Sequence, residues 1–229
     1  MAPKYNHKKS VQHKHGTNKS GSKKQLYIAI GILAIVSIIV IAYFAGAFTS
    51  SSDSKTPSPT TSSQTPATSN TKVLLQTSMG NIIIELFDDK PITTQNFLNL
   101  VAAEKYDGTV FHRIMKDFMI QGGAINEKLP TIKDEIGSYN HNYQYTIAMA
   151  KTTDPNSATS GFFINTVDNS GIVYSDGTTF DGTYTAFGRV VEGRDVVDAI
   201  AKVPVTVNSQ GERSQPTQTV TLISATIIT

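Results

Sequence analysis

The chain has 229 residues, enough for one sizeable folded domain with extensions. It has no cysteine, which excludes disulfide bonds, a thiolate nucleophile, a cysteine-based metal site and a lipid anchor on cysteine. The net charge of +2 hides an asymmetry, because seven lysines lie in the first 24 residues and the first acidic residue is Asp53. The remainder holds 13 basic against 18 acidic side chains and is mildly acidic.

Residues 1–24 are rich in lysine and show no apolar periodicity, which predicts a disordered basic tail. A lysine cluster of this kind can bind nucleic acid or anionic lipid. It can equally be the positively charged cytoplasmic flank of a membrane segment. We favour the flank, and expect no nucleic-acid partner, because an apolar run follows directly.

Residues 25–48 are predicted to form a transmembrane signal-anchor helix. Positions 26–44 carry no charge, and at ~1.5 Å per residue they reach about 28 Å, close to the ~30 Å hydrocarbon core. Because lysines precede this run, we expect a single-pass protein of the cell membrane with a cytoplasmic N-terminus and an extracytoplasmic C-terminal domain. Residues 45–47 resemble a cleavage site, but the run exceeds the ~7–15 apolar residues of a signal peptide, so we favour a retained anchor.

Residues 49–71 are rich in serine, threonine and proline. Such a composition cannot bury enough apolar surface to fold, and it predicts a disordered linker. As a flexible coil the segment would span roughly 25–30 Å. We interpret it as a tether between the membrane and a folded domain.

Aliphatic patterning begins at residue 72 and predicts one folded domain over residues 72–229. Residues 72–77 and 81–86 are typical of a β-hairpin. Pro91 opens a helical segment. The apolar face of that helix is expected to be Phe97, Leu98, Val101 and Ala102.

Further elements are short. Strands are predicted at 145–151, 161–165, 186–191 and 220–228, a helix at 194–201, and surface loops at 124–143 and 167–183. Many short strands with two helices predict a mainly β fold, a closed antiparallel eight-stranded β-barrel capped by two α-helices. Closure would remove exposed strand edges. We interpret His141 as a solvated loop residue.

The stretch 106–123, YDGTVFHRIMKDFMIQGG, places one arginine among apolar side chains. Strand alternation predicts Phe111 and Arg113 on one face and His112 and Ile114 on the other. If the following residues fold back beside Arg113, they form an apolar pocket with one cation at its wall. A guanidinium offers only donors, so it can hold, orient and polarise a ligand but cannot act as a base or a nucleophile.

The tripeptide FHR, followed after four residues by FMIQGG, resembles the signature of the cyclophilin-type peptidyl-prolyl cis-trans isomerases. The resemblance extends over about 72–229 and implies a cyclophilin-like domain that accelerates X-Pro isomerisation without a cofactor or a metal. It implies that Arg113 is the catalytic donor. It implies substrate-binding roles for Phe118, Met119, Gln121, Ala150, Gly161, Phe163, Phe180 and Tyr184.

Within that resemblance, Phe118, Met119, Phe163 and Phe180 line the proline slot. Gln121 orients the arginine, the Ala150 backbone pairs with the substrate chain, and Tyr184 stands where many members have histidine. Phe162 should face the core, opposite Phe163.

One departure from the family concerns Gly161. The family usually reads Ser-Gln-Phe-Phe, whereas this chain reads Ser160-Gly161-Phe162-Phe163. The missing glutamine removes a side-chain contact to the substrate backbone, and glycine weakens a strand locally. We therefore expect weaker substrate binding with an intact arginine and slot.

The predicted function is isomerisation of X-Pro bonds in exported protein chains by a monomeric enzyme. One alternative is a proline-peptide binding or holdase module with little turnover, which Gly161 favours. Another is a surface interaction protein presented on a stalk. A hydrolase triad could be sought among Ser157, Ser160 and His112, but we do not favour it because the chain has no nucleophile-elbow pattern.

Overall fold

The computed structural model describes residues 71–228. In this part of the chain ten strands and two helices follow one another in an order that begins and ends with a strand. The elements are β1 (Lys72–Thr77), β2 (Gly80–Leu86), α1 (Pro91–Ala102), β3 (Arg113–Met115), β4 (Met119–Gly122), β5 (Thr146–Met149), β6 (Phe162–Asn165), β7 (Ala186–Glu192), α2 (Arg194–Ala201), β8 (Val205–Val207), β9 (Arg213–Pro216) and β10 (Leu222–Ile228).

Eight strands form one antiparallel sheet in the order β10-β1-β2-β7-β5-β6-β4-β3. The two ends of the sheet meet just before β3 and β10, where Val110 bridges Thr221 and the Phe111 N–H donates to the Val220 carbonyl at 2.9 Å. The predicted mainly β fold, with eight antiparallel strands in one sheet and two helices, is therefore confirmed, but the prediction of a fully closed barrel is not, because no strand ladder pairs β3 with β10. The sheet curls on itself, and an isolated bridge joins its ends in the described residues.

Strands β8 and β9 form a separate hairpin that the sequence did not predict. Both strands are too short to show a clear periodic pattern: β8 has three residues, none of them buried, and β9 reads RSQP, with only Ser214 buried. This hairpin contributes one side chain, Glu212, to the site described below.

Helix α1 begins at Pro91, as predicted, because proline is preorganised for the first helical position and has no N–H to leave unpaired. The next two backbone N–H groups, of Ile92 and Thr93, donate to the carboxylate of Glu135 at 3.0 and 2.8 Å. Ala102 was expected in the core, but it is exposed because it is the last residue of the helix.

The main core consists of buried aliphatic and aromatic side chains from the strands and helices. The ring of Phe97 lies 5.1 Å from Tyr106, 5.9 Å from Phe162 and 5.2 Å from Phe187, measured between centroids. Tyr106 also donates its hydroxyl to the Ser160 carbonyl at 2.9 Å. Buried aromatic pairs of this kind are worth about 0.5–1.5 kcal/mol beyond their area burial.

The predicted faces of the arginine strand were wrong. Phe111 lies in the main core, 6.1 Å from Phe162, whereas Arg113 lines a pocket together with side chains of a second apolar cluster that includes Phe118 and Phe163. Ile114 is buried in the core and His112 is exposed, so these two do not share a face either. The reason is that β3 begins only at Arg113, and the alternation of a strand does not extend to residues before it.

Within residues 71–228 no helix combines the length and hydropathy needed to cross a membrane. The predicted membrane segment at 25–48 and the basic tail fall outside the described residues, as does all of the predicted linker except Thr71. These three predictions are therefore not addressed by the structure.

Candidate active site

The site is built on one cross-strand row of the curled sheet. Arg113 of β3 pairs with Gln121 of β4, which pairs with Phe163 of β6, which pairs with Ala148 of β5. Directly opposed residues in antiparallel strands have side chains on the same face, about 4.5–5.5 Å apart. The sheet itself therefore sets the arginine, the glutamine and the phenylalanine side by side.

A pocket opens over this row. Its walls come from β3, β4, the segment after β5, β6 and the loop that precedes β7. The lining residues are Arg113, Phe118, Met119, Gln121, Ala150, Lys151, Phe163, Phe180 and Tyr184. Of the predicted site residues, all but Gly161 line this one pocket.

Aromatic rings form the apolar part of the pocket. The Phe118 and Phe180 rings meet edge to face with centroids 5.6 Å apart, and Phe163 meets Tyr184 in the same way at 5.4 Å. The Phe118 carbonyl accepts a hydrogen bond from the Asn169 side chain at 3.0 Å, which fixes the turn that carries this ring. The result is an apolar slot walled by packed aromatic rings.

Arg113 forms the polar wall and is only 7% exposed. Its Nε–H and an Nη2–H donate to the two carboxylate oxygens of Glu212, each at 2.7 Å. Its Nη1 donates to Gln121 Oε1 at 3.2 Å and contacts the Met119 sulfur at 3.9 Å. Because Gln121 and Met119 both line the pocket, Nη1 is a guanidinium nitrogen that faces the slot.

Glu212 remains ionised in this position. Burial alone would raise the pKa of its carboxyl group, but the hydrogen bonds and the positive charge of Arg113, with a hydrogen bond from Ser214, lower that pKa below its ordinary value. No sequence pattern predicted this residue, which lies 99 positions from Arg113 along the chain.

Comparison with known proteins identifies the family to which the chain belongs. The family model described as cyclophilin type peptidyl-prolyl cis-trans isomerase/CLD matches residues 72–227. The peptidyl-prolyl cis-trans isomerase cyp18 of Streptomyces antibioticus is 45% identical over 163 residues, which cover 68% of this chain and 98% of that protein. The chain belongs to the cyclophilin-type peptidyl-prolyl cis-trans isomerases.

Other relatives agree. Peptidyl-prolyl cis-trans isomerase B of Escherichia coli K12 is 39% identical over 162 residues, covering 68% of this chain and 98% of that protein. Among solved structures, a cyclophilin-type isomerase of Cryptosporidium parvum is similar with a TM-score of 0.57 and 25% identity, covering 69% of this chain and 98% of that one. A second structure of that protein was determined in the presence of the dipeptide Ala-Pro. The protein is thus an enzyme, a peptidyl-prolyl cis-trans isomerase.

A buried amide network holds the far wall of this isomerase's pocket. The side-chain NH₂ groups of Asn140 and Asn142 both donate to the Tyr184 carbonyl, at 2.9 and 3.1 Å. His141, interpreted as a solvated loop residue, is partly exposed, and its Nδ1 lies 2.9 Å from Asp181 Oδ2. The loop that was expected to lie on the surface is therefore anchored, and it places Tyr184 at the slot.

The Tyr184 hydroxyl is a donor at neutral pH. Burial raises the pKa of this phenol above its ordinary value, so it stays protonated. Its side chain is 7% exposed and lines the pocket. A protonated phenol can donate a hydrogen bond at this position, where many family members have histidine.

The wall around Ala150 limits how its backbone can pair with substrate, and the pocket lining there differs from the prediction at Gly161 and Lys151. The Ala150 N–H already donates to the Gly161 carbonyl at 2.8 Å, so a substrate chain would have to pair with the Ala150 carbonyl. Gly161 lies beside Ala150, outside the lining residues. Lys151, which the sequence did not single out, lines the pocket, and its Nζ lies 3.2 Å from Asp134.

Residues 71–228 contain no group of three or more histidine or acidic side chains placed to hold a metal ion. The pocket presents a guanidinium, an amide, a phenol, an ammonium group and apolar walls. Such a set can bind a peptide, orient it and donate hydrogen bonds. The individual catalytic and binding roles of these residues stay predictions.

Proposed function

We propose that Arg113 accelerates X-Pro isomerisation by donating a hydrogen bond to the prolyl nitrogen of the twisted amide. The observation that carries this proposal is the position of Nη1, which faces a slot walled by Phe118, Phe163 and Phe180. In the slot the proline ring would lie against these rings, with the amide nitrogen toward the guanidinium.

The chemistry follows from the amide bond. Rotation faces a barrier of ~18–20 kcal/mol because the nitrogen lone pair is delocalised into the carbonyl. Twisting localises that lone pair on nitrogen, so a donor aimed there stabilises the twisted state more than either planar state. Each ~1.4 kcal/mol of that difference is a tenfold gain in rate.

The surroundings of Nη1 support this role. The thioether sulfur of Met119 is a weak acceptor, so a substrate nitrogen can compete with it for a hydrogen. The aromatic walls exclude water, which strengthens a hydrogen bond formed between them. The Ala-Pro dipeptide present with the Cryptosporidium parvum relative supports a proline residue as the ligand of the slot.

The proposal is tested by a coupled assay on an X-Pro peptide. We expect Arg113→Ala to lower kcat/KM about 10²–10³-fold, as removal of a preorganised donor does elsewhere. The matched control is Arg189→Ala, which removes an arginine whose Nε donates to Glu85 at 2.8 Å outside the pocket. An unchanged rate in Arg113→Ala would contradict the proposal, whereas peptide binding without acceleration in the parent would favour the holdase alternative.

We further propose that the domain acts as a monomer outside the cytoplasmic membrane, on exported chains, tethered by residues 25–48. The support is the sequence alone: an uncharged run at 26–44, lysines before it and a Ser/Thr/Pro-rich segment after it. Protease added to intact cells should remove the domain from a membrane-bound protein of full mass. A domain that is protected from protease until the cells are lysed would contradict this topology. A mature protein whose mass corresponds to a chain starting near Phe48 would contradict the retained anchor.

A further inference from the structure

The β8–β9 hairpin places a carboxylate against the guanidinium that the proposed mechanism uses. Glu212 lies between the two strands of the hairpin, and its side chain is 7% exposed. It occupies one edge of the Arg113 guanidinium, at Nε and Nη2, through two parallel hydrogen bonds of 2.7 Å. The other edge of the guanidinium, which carries Nη1, faces the pocket.

A bidentate pair fixes more than a distance. The guanidinium is planar, so two hydrogen bonds to one carboxylate set both its plane and its rotation about the side-chain axis. Once Nε and Nη2 are held, the direction of Nη1 is determined. It points at Gln121 and Met119, which line the slot.

The loop that carries Glu212 is itself held in one conformation. Asn208 Oδ1 accepts hydrogen bonds from the backbone N–H groups of Gln210 and Glu212 at 3.0 and 2.9 Å. The Asn208 N–H donates back to the Glu212 carbonyl at 2.8 Å, and Gly211 supplies the positive φ of 81° that the turn requires. The carboxylate is therefore presented by a closed, hydrogen-bonded turn.

We infer that Glu212 is a positioning residue for Arg113, holding the guanidinium in the plane that directs Nη1 at the prolyl nitrogen. This inference rests on the proposed mechanism. The pair is buried and ionised, and a buried ion pair is in itself weak support for stability. Its use here is to order a long side chain before the substrate arrives, so that little reorganisation is left for the reaction itself.

The test compares the parent with Glu212→Gln, Arg113→Ala and the double variant, using kcat and KM on one X-Pro peptide. Glutamine keeps the shape and one acceptor oxygen but loses the charge and the second acceptor. We expect Glu212→Gln to lower kcat about tenfold with KM within about twofold, because it misdirects a donor that acts in the twisted state. In the Arg113→Ala background the same change should have no further effect.

Two further variants keep the test sharp. Glu85→Gln breaks an arginine–glutamate pair outside the pocket and should leave kcat and KM unchanged. Asn208→Ala keeps both charges and loosens only the turn, so it should lower kcat in the same direction by about threefold. It remains informative if Glu212→Gln does not fold.

The outcomes separate the inference from the mechanism on which it rests. Loss of activity in Arg113→Ala, with parental kcat in Glu212→Gln and Asn208→Ala, would overturn the positioning role and leave the arginine mechanism standing. An equal loss from Glu212→Gln with and without Arg113 would also overturn it, as would a faster enzyme, which would mean that the carboxylate competes with substrate. Full activity in Arg113→Ala would overturn both.

Discussion

Phe162 and Phe163 are neighbours in β6, yet they belong to two different regions of the molecule. Phe162 packs among Phe97, Tyr106 and Phe111 in the main core, and Phe163 lies with Phe180 in the pocket cluster on the other face of the sheet. They are 0% and 4% exposed, so burial does not distinguish them.

The difference lies in what the two faces contact. The main core consists of buried apolar side chains that pack against one another, whereas the pocket cluster borders a guanidinium, an amide and an opening. One face of the curled sheet stabilises the fold, and the other presents equally buried rings to a ligand. A ring that is fully packed without a ligand contributes stability, and a ring that borders an opening is available for binding.

The strongest way to break this comparison is to remove each ring in turn. Phe162→Ala should lower the free energy of unfolding by about 3–5 kcal/mol, because it leaves a cavity in a closed core. The isomerase activity per folded molecule should stay near that of the parent. Phe163→Ala is the matched variant, and should cost less stability while weakening peptide affinity about tenfold, or about 1.4 kcal/mol. Urea denaturation and peptide titration of both variants provide the measurement.

If both substitutions cost the same stability and the same affinity, the two faces of β6 do not have separate roles. The distinction between a stabilising and a binding face would then be wrong, even though the rings lie in separate clusters.

Acid should weaken interactions on the pocket face more than those in the main core, because the Arg113–Glu212 ion pair lies on the pocket face. The pKa of Glu212 is lowered in the folded protein from its ordinary value of 4.5, so the pair contributes stability above about pH 4.5 and loses it as pH falls through the lower folded value. The slope for one such proton is at most about 1.4 kcal/mol per pH unit. The difference in unfolding free energy between the parent and Glu212→Gln should therefore be constant near neutrality and shrink in acid.

Urea denaturation of both proteins at several pH values from 7 to 3 measures this difference. A gap that stays the same down to pH 3 would show that ionisation of Glu212 is not what the pair contributes.

The smallest expected effect concerns the wall beside Ala150. Gly161→Gln would restore the side chain that the family usually carries there, and an added Cβ would lie 3.5 Å from the Ala150 Cβ, an ordinary contact. We expect peptide affinity to rise about threefold, or about 0.7 kcal/mol. Gly137→Gln, at a loop position where a Cβ meets nothing within 4 Å, is the control and should leave affinity unchanged. Equal peptide affinities for the parent and Gly161→Gln would contradict the expectation that this glycine weakens substrate binding.

The sequence predicted the parts of the site that lie close together along the chain. Arg113, Phe118, Met119 and Gln121 fall within nine residues of a tight strand pair, so one motif carries their identities and their spacing. The resemblance to the family supplied the more distant Ala150, Phe163, Phe180 and Tyr184, which the structure brings to the same pocket.

Other contributions had no local signal. Glu212 comes from an irregular polar turn, Lys151 follows a strand end, and Asn140 and Asn142 looked like surface loop residues although they are 2% and 0% exposed. Their roles arise from contacts across 99 positions for Glu212 and 44 for Asn140, which no periodicity encodes. The wrong prediction for the face of Phe111 has a related cause. Side chains alternate between faces only within a hydrogen-bonded strand, and Phe111 precedes β3.

The most direct test of the central claim measures cis–trans exchange of a bound X-Pro peptide by NMR exchange spectroscopy, in the parent and in Arg113→Ala. A donor that acts on the twisted amide contributes to the barrier and little to binding of the planar states. We predict that the exchange rate at saturating peptide falls at least about 100-fold while the peptide affinity changes by less than about threefold. A bound exchange rate equal to that of the parent, or a loss explained entirely by weaker binding, would contradict the account.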